Sequence, residues 1–202
     1  MIPEKLLGKI EAYKKDWKFE DALKLVNQEL SKNPSNKEAL FQVADIEYRK
    51  WEIMRAEKPI DFLLQWADND AMSYYIKGVL EMEKTNWKEA KSYFKKTLEL
   101  MDQDNPEVMR CYGLCEYWAW NREEWMAYVM KAFEVNSKDA EIILNLVEIS
   151  ILEKQRDKAK LYIHHYLQEK DELQFFDRKQ MYYDEKIRIF KAYVESDEAK
   201  EE

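Results

Sequence analysis

Small and apolar residues return along this chain at a nearly constant spacing. The residues that would open the second helix of each helical pair are Ala22, Ala56, Ala90, Trp125 and Ala159, and subtraction gives steps of 34, 34, 35 and 34 residues. Apolar positions at helical spacing around them predict amphipathic helices in antiparallel pairs. Such a period is typical of a solenoid, in which one helical hairpin buries its apolar face only against its neighbours.

Polar segments separate the predicted hairpins. They carry side-chain oxygens that can cap the next helix, and one proline suited to a first helical turn; they span residues 33–36, 68–70, 102–106 and 136–139. None is long enough to be an interdomain linker, so we expect a single domain over residues 1–194. Residues 195–202 are acidic and poor in apolar side chains, and we expect them to form a disordered tail.

Two places depart from the regular pattern. Pro59 falls inside the expected second helix of the second hairpin, where it would remove a backbone hydrogen bond. We therefore expect a first helix that starts near Lys37 and runs past Trp51, followed by a short helix from Pro59 to near Trp66. After the last hairpin, apolar residues between about positions 173 and 194 predict one more helix that caps the final apolar edge.

The clearest copy of the repeat resembles the tetratricopeptide repeat (TPR) family. It carries Tyr74, Gly78, Ala90 and Phe94 at the signature positions of that family, and Trp87 opens an aromatic-x-acidic-Ala entry to the second helix. The resemblance implies an all-α fold, a right-handed α-solenoid of about five TPR hairpins with a C-terminal capping helix. It also implies a concave face lined by the first helix of each repeat, but it specifies no partner.

The resemblance implies that residues at outward-facing positions of the first helices are the candidate partner-binding residues. They form an apolar, aromatic-rich face, which is typical of interaction sites, although some of them can instead pack against the neighbouring repeat. Glu11 and Asp45 stand where carboxylate-binding repeat proteins hold Lys and Asn, so a terminal carboxylate is not the expected ligand. The candidate residues are Phe41, Asp45, Tyr48, Arg49, Tyr75, Val79, Met82, Arg110, Leu114, Tyr117, Trp118 and Leu144.

This reasoning predicts a non-enzymatic scaffold that binds a partner peptide or helix on its concave face. Two alternatives stay open at this point. The protein could be a secretion-type chaperone that holds an apolar segment, or a structural subunit that self-assembles as a homo-oligomer.

Composition narrows the class of partner. A formal net charge of −8 opposes nucleic-acid binding, because that affinity comes largely from Lys and Arg contacts to phosphate. No apolar run is long enough for a membrane span, and the first ten residues lack the pattern of a signal peptide. We therefore expect a cytoplasmic protein with a protein or peptide partner, and neither nucleic acid nor membrane as a partner.

The residues that could carry chemistry are few. His164 and His165 are adjacent, so on a helix they point about 100° apart and cannot form a one-face zinc pair. Cys111 and Cys115 lie one helical turn apart, where a disulfide is geometrically awkward and two thiols fall short of a four-ligand metal site. We expect reduced thiols, no metal site and no cofactor, and no phosphate-binding loop can be built from the three glycines.

Glycine is rare and tryptophan is common in this sequence, with 3 glycines and 7 tryptophans. Trp17, Trp51 and Trp120 fall at the ends of predicted first helices, where a tight turn favours glycine. One interpretation is aromatic packing between helices. The other is that these sites ancestrally held glycine, through a codon that the source organism reads differently.

Overall fold

The computed structural model describes residues 1–65, 69–101, 104–119, 122–175 and 180–196, with backbone alone at 122 and 123. Eleven α-helices are found within these residues, and the chain divides into two compact units, Met1–Asp102 and Gln103–Glu202. The helices of the first unit are α1 (Glu4–Lys15), α2 (Phe19–Lys32), α3 (Lys37–Arg49), α4 (Ile53–Leu64), α5 (Ala71–Glu83) and α6 (Trp87–Leu100). Those of the second are α7 (Pro106–Trp118), α8 (Arg122–Val135), α9 (Ala140–Leu152), α10 (Arg156–Gln168) and α11 (Gln180–Ser196).

The first unit consists of three helical hairpins, α1–α2, α3–α4 and α5–α6, and each hairpin also packs on the next. Ala22, Ala56 and Ala90 are fully buried, as their place in the repeat predicts. Leu30 of α2 packs against the core clusters of both the first and the second hairpin. The apolar core therefore continues from one hairpin into the next, which is the packing of a repeat fold.

The second unit consists of the hairpins α7–α8 and α9–α10 and the single helix α11, which packs against α9 and α10. Trp125 and Ala159, the other two repeat positions, are also buried. Before α11, Gln174 pairs with the start of α9: its backbone N–H donates to the Lys138 carbonyl at 2.7 Å, and its carbonyl accepts from Ala140 N–H at 3.0 Å. These backbone bonds hold the segment that leads into the capping helix.

Side-chain caps define the start of the first helix in four hairpins. The carbonyl or carboxylate oxygens of Asn36, Asp70, Asn105 and Asp139 accept hydrogen bonds from backbone N–H groups in the first turns of α3, α5, α7 and α9. The polar breaks of the sequence therefore act as predicted. Pro106 stands at the first position of α7, where its missing N–H leaves no bond unmade.

Two glycines mark the closest approach within their hairpins. A Cβ atom on Gly78 would lie 2.7 Å from Cε1 of Phe94, and one on Gly113 would lie 2.5 Å from Cγ2 of Val129. Both distances are too short for a real Cβ contact, so a larger residue would force the two helices apart. The glycine of the repeat signature is therefore a packing requirement at these two positions.

The second hairpin is more regular than expected. The first helix, α3, ends at Arg49 and does not pass Trp51, and α4 begins at Ile53 with Pro59 inside it. Pro59 is buried beside Ile60, and this apolar face of α4 keeps the helix continuous although one backbone hydrogen bond is lost. The expected end near Trp66 lies outside the described residues.

The C-terminal helix also differs from the expected boundaries. The described part of the helix begins at Gln180, and Leu173 lies outside it as a buried residue. The helix continues through Ser196, two residues beyond the predicted end. The rest of the predicted tail lies outside the described residues, and the single domain over 1–194 stays a prediction.

Trp17 and Trp51 occupy left-handed backbone conformations in the turns after α1 and α3. Their φ angles are 60° and 61°, and Thr85 and Lys154 have similar angles in the corresponding turns after α5 and α9. The indoles are 77% and 76% exposed, so they are not packed between helices as one interpretation of the sequence required. Trp120 lies outside the described residues.

A buried lysine joins α4 to α5 in the first unit. The ammonium of Lys77, which is only 7% exposed, lies 2.5 Å from Oε1 of Glu57 and also donates to Asp61. Lys84 donates to the same Glu57 oxygen at 2.8 Å. Burial raises the pKa of Glu57, but the hydrogen bonds and charges of Lys77 and Lys84 outweigh it and lower the pKa to about 2.

We predict that Glu57→Gln removes part of the acid sensitivity of this protein. A carboxylate whose pKa is lowered by folding stabilises the native state above its unfolded pKa, and that stability is lost as the pH falls from about 4.5 to about 2. At neutral pH the variant should lose about 2 kcal/mol of unfolding free energy, and the difference from wild type should shrink as the pH falls. Urea unfolding across this pH range measures it. The exposed Glu89→Gln on α6 is the control, and a Glu57→Gln deficit independent of pH contradicts the prediction.

Candidate functional site

The first helices of the first unit lie side by side and are joined by polar side chains. The ammonium of Lys14 on α1 lies 2.6 Å from Oδ2 of Asp45 on α3. The hydroxyl of Tyr48 on α3 donates to Oε1 of Glu83 on α5 at 2.7 Å. These bonds connect three successive first helices, so the predicted binding residues of α3 and α5 share one surface.

Lys14 is the centre of the polar cluster on this surface. It is 7% exposed and donates to Glu11, Gln42 and Asp45 at 2.6, 2.9 and 2.6 Å. Arg49 approaches the same carboxylate, with Nε 3.0 Å from Oδ1 of Asp45. A carboxylate that holds two cations leaves little charge to attract a ligand, so these groups mainly fix α1 against α3.

The apolar residues predicted on this surface are half-buried. Phe41 and Tyr48 pack partly against the core of the second hairpin, and the ring of Tyr75 lies 6.0 Å from that of Phe94. Val79 and Met82 on α5 are also half-buried. Each of these five side chains therefore packs partly against the protein and is partly exposed to solvent. Ordered, partly exposed side chains of this kind are typical of interfaces.

The second unit repeats this arrangement with α7 and α9. The guanidinium of Arg110 on α7 donates to Oδ1 of Asn145 on α9 at 3.0 Å. About two turns later, the hydroxyl of Tyr117 donates to Oε1 of Glu153 at 3.2 Å. The two first helices are thus aligned along their length.

Arg110 and Leu144 present little surface to a partner, because each is only 6% exposed. The guanidinium of Arg110 makes a bidentate salt bridge to Glu107, in which Nε donates to Oε2 at 2.9 Å and Nη2 donates to Oε1 at 2.6 Å. Glu141 lies 3.8 Å away on α9. Burial raises the pKa of Tyr183 on α11, and the nearby Glu141 carboxylate raises it further. This end of the surface is a closed polar cluster that fixes the helices.

The other end of the surface is open and apolar. Trp118 is 48% exposed and Leu152 is 53% exposed, and the rings of Tyr117 and Trp118 meet edge to face at 5.3 Å. Leu114 on α7 and Ile151 on α9 are half-buried. Glu148 is exposed on the same face of α9, one turn before Leu152. We call this region, formed by Leu114, Tyr117, Trp118, Glu148, Ile151 and Leu152, the α7–α9 surface.

Two residues that organise these surfaces were not among the predicted site residues. Lys14 stands 34 residues before Tyr48, so the repeat period places it at the equivalent position of the preceding first helix. Tyr183 lies in the capping helix, outside the repeats, and no period predicts that it faces Arg110. Its role depends on how α11 docks.

The described residues include no group of three or more His, Cys, Asp or Glu side chains that could hold a metal ion. Cys111 and Cys115 are buried and outside any disulfide, and burial raises the pKa of the Cys111 thiol, so it stays protonated. His165 bonds the Ser137 carbonyl at 2.8 Å, whereas His164 lines a cleft of about 620 Å³ between α10 and α11. None of the helices within the described ranges is long and apolar enough to cross a bilayer.

Comparison with known proteins identifies the fold. PilW, a widely conserved type IV pilus biogenesis factor, superposes with a TM-score of 0.75 at 16% identity, over 96% of this chain and 94% of that chain. A thermophilic TPR protein of Thermus thermophilus gives 0.69 at 17% identity, over 95% and 97%. YrrB, a TPR protein with an unusual peptide-binding site, gives 0.59 at 20% identity, over 84% of each chain.

No family model and no curated protein sequence matches the chain. The structural matches nevertheless confirm the predicted resemblance at the level of fold. The chain has the all-α helical-repeat fold of TPR proteins, closed by the additional helix α11.

We predict that Arg110→Ala destabilises the protein by about 2 kcal/mol, because it removes the hydrogen bonds that a buried guanidinium makes to Glu107 and Asn145. Arg188→Ala is a matched control. Arg188 makes an equivalent bidentate salt bridge to Glu185, three residues earlier. Its side chain is 72% exposed, whereas that of Arg110 is 8% exposed. Exposed pairs of this kind contribute little. Urea unfolding of both variants tests the comparison, and similar losses for the two would show that burial of Arg110 is not the cause.

Proposed function

We propose that this protein is a non-enzymatic interaction scaffold that binds a peptide or helix of a partner protein on its first-helix surfaces. The observation that supports this proposal is the same in both units. Polar side chains join neighbouring first helices, while aromatic and apolar side chains beside these bonds remain partly exposed. The result is a rigid support for apolar contacts.

Rigidity matters because binding loses less entropy when the receptor side chains are already ordered. The ring of Tyr48 is held by Glu83, and that of Tyr117 by Glu153. Aromatic residues fixed in this way are common energetic anchors of interfaces. YrrB, which shares the fold, is described as having a peptide-binding site, and PilW as a pilus biogenesis factor. Both descriptions are consistent with a protein or peptide partner, and we propose that the protein acts in the cytoplasm.

The proposal is tested by selecting ligands from a random-peptide display library on the purified protein. The selected peptides should bind Val79→Gln/Met82→Gln, which alters the surface of α5, at least about tenfold more weakly than wild type, since interface anchors contribute about 1–2 kcal/mol each. Fluorescence anisotropy measures the affinities.

Ser31→Gln/Ser92→Gln is the control, because it places the same side chain at exposed positions of second helices. Its affinity should equal that of wild type. If the α5 variant and this control bind the selected peptides equally well, the first-helix surface of the first unit is not the binding site. If light scattering instead shows concentration-dependent oligomers that are lost in the α5 variant, self-assembly replaces partner binding.

A further inference from the structure

The first helices of the two units differ sharply in charge. In the first unit, the helices α1, α3 and α5 together carry seven basic and seven acidic residues, so their formal charges balance. In the second unit, α7 and α9 together contain one basic residue, Arg110, and it is buried in the cluster with Glu107. The acidic residues Glu107, Glu141 and Glu148 lie on these two helices, and Glu153 follows α9 directly.

Two of the acidic groups lie next to apolar residues of the α7–α9 surface. Glu148 is exposed beside Leu152, and Glu153 is held at the hydroxyl of Tyr117. At the opposite end, the charge of Arg110 is balanced by the carboxylate of Glu107, to which its guanidinium makes two hydrogen bonds. An apolar patch with a negative rim repels acidic segments and attracts basic ones.

We propose that the α7–α9 surface binds a basic amphipathic helix of a partner protein. The apolar face of that helix would cover Leu114, Ile151 and Leu152, and its Lys or Arg residues would reach Glu148. The pattern is that of helix-in-groove recognition, with anchors at positions i, i+3, i+4 and i+7. This inference rests on the proposed function and adds the location and the charge of the ligand.

Two synthetic peptides test the proposal directly. The first is an amphipathic helix of leucine and lysine, and the second has glutamate in place of every lysine. The wild-type protein should bind the leucine–lysine peptide at least about tenfold more tightly, because like charges at an interface oppose association. Raising the salt concentration should reduce this preference. Equal affinity for the two peptides overturns the proposed charge selection.

Charge reversal within the protein locates the site. Glu148→Lys should weaken binding of the leucine–lysine peptide by about tenfold and strengthen binding of the leucine–glutamate peptide. Glu134→Lys is the matched control, because Glu134 is exposed on α8 of the same unit and the net charge changes by the same amount. Equal effects of both reversals would show that the peptide responds to the overall negative charge, and would overturn the site.

The apolar contribution is tested with Leu152→Gln, which should weaken the leucine–lysine peptide by about tenfold without changing the helical content of the protein. If this variant binds as wild type does, the surface is not the site. These outcomes do not depend on the result of the library selection. Selected peptides that lose affinity for the α5 variant would still support a scaffold, even if the α7–α9 surface binds nothing basic.

A second inference rests on an independent observation, the backbone at Trp17 and Trp51. In each turn, the residue after the tryptophan donates its backbone N–H to a carbonyl five residues earlier in the chain. The bonds run from Lys18 to Tyr13 and from Glu52 to Glu47, both at 2.9 Å. The tryptophan N–H bonds to the third residue before it, at 3.2 Å in the first turn and 2.9 Å in the second. This is the Schellman ending of a helix, whose left-handed residue is usually glycine.

We infer that positions 17 and 51 hold glycine in the protein as its own host translates it. An exposed indole gains little from packing, and a Cβ atom at a φ near 60° costs energy that glycine avoids. The low glycine count and the high tryptophan count of the chain follow from the same cause if one codon is read as tryptophan here and as glycine in the host.

Tandem mass spectrometry of the native protein decides this inference, through the peptides that cover positions 17 and 51. Glycine at both positions is expected, and tryptophan at both would overturn it. The physical premise is tested on the recombinant chain, where Trp51→Gly should raise the midpoint of urea unfolding above that of Trp51→Ala, because both remove the indole but only glycine removes Cβ. Equal midpoints would overturn the premise.

Discussion

The structure depends on the close approach of the two helices within each hairpin. The approach is possible because small residues stand at the crossing points: Ala22, Ala56 and Ala90 have no exposed surface, and Gly78 leaves no room for a Cβ atom beside Phe94. Each hairpin then offers one continuous apolar face to the next. A hairpin alone could not bury this face, so the repeat is stable only as part of a stack.

This packing leaves the first helices with one side free, and the chain uses that side in two ways. Polar bonds such as Lys14 to Asp45 and Tyr117 to Glu153 fix neighbouring first helices to each other. Apolar residues next to these bonds, such as Leu152, stay exposed. The bonds order the support, and in the proposed binding mode the exposed residues would supply the contact area, so stability and recognition would be carried by different side chains.

Burial separates the charged residues that fix helices to each other from those that remain accessible to solvent. Arg110 and Arg188 make nearly the same bond to a glutamate three residues earlier, yet one is enclosed between helices and the other is in solvent. The enclosed guanidinium holds α7 against α9 and offers no charge to a ligand. Glu148, by contrast, is exposed on the α7–α9 surface.

The sequence by itself determined the repeat, the all-α fold, the capped starts of four first helices and the face that carries the candidate residues, because these depend on local spacing and on residue type. The prediction that a new helix begins at Pro59 was wrong. Proline costs stability locally, but the burial of Ile60 and its neighbours adds stability that depends on the tertiary structure. Only the tertiary structure decided that Arg110 and Leu144 are enclosed, that Tyr183 faces this cluster, and that Trp51 points into solvent. The physical reason is that exposure depends on how separate helices dock, and a period in the sequence fixes the face of a residue without fixing what covers it.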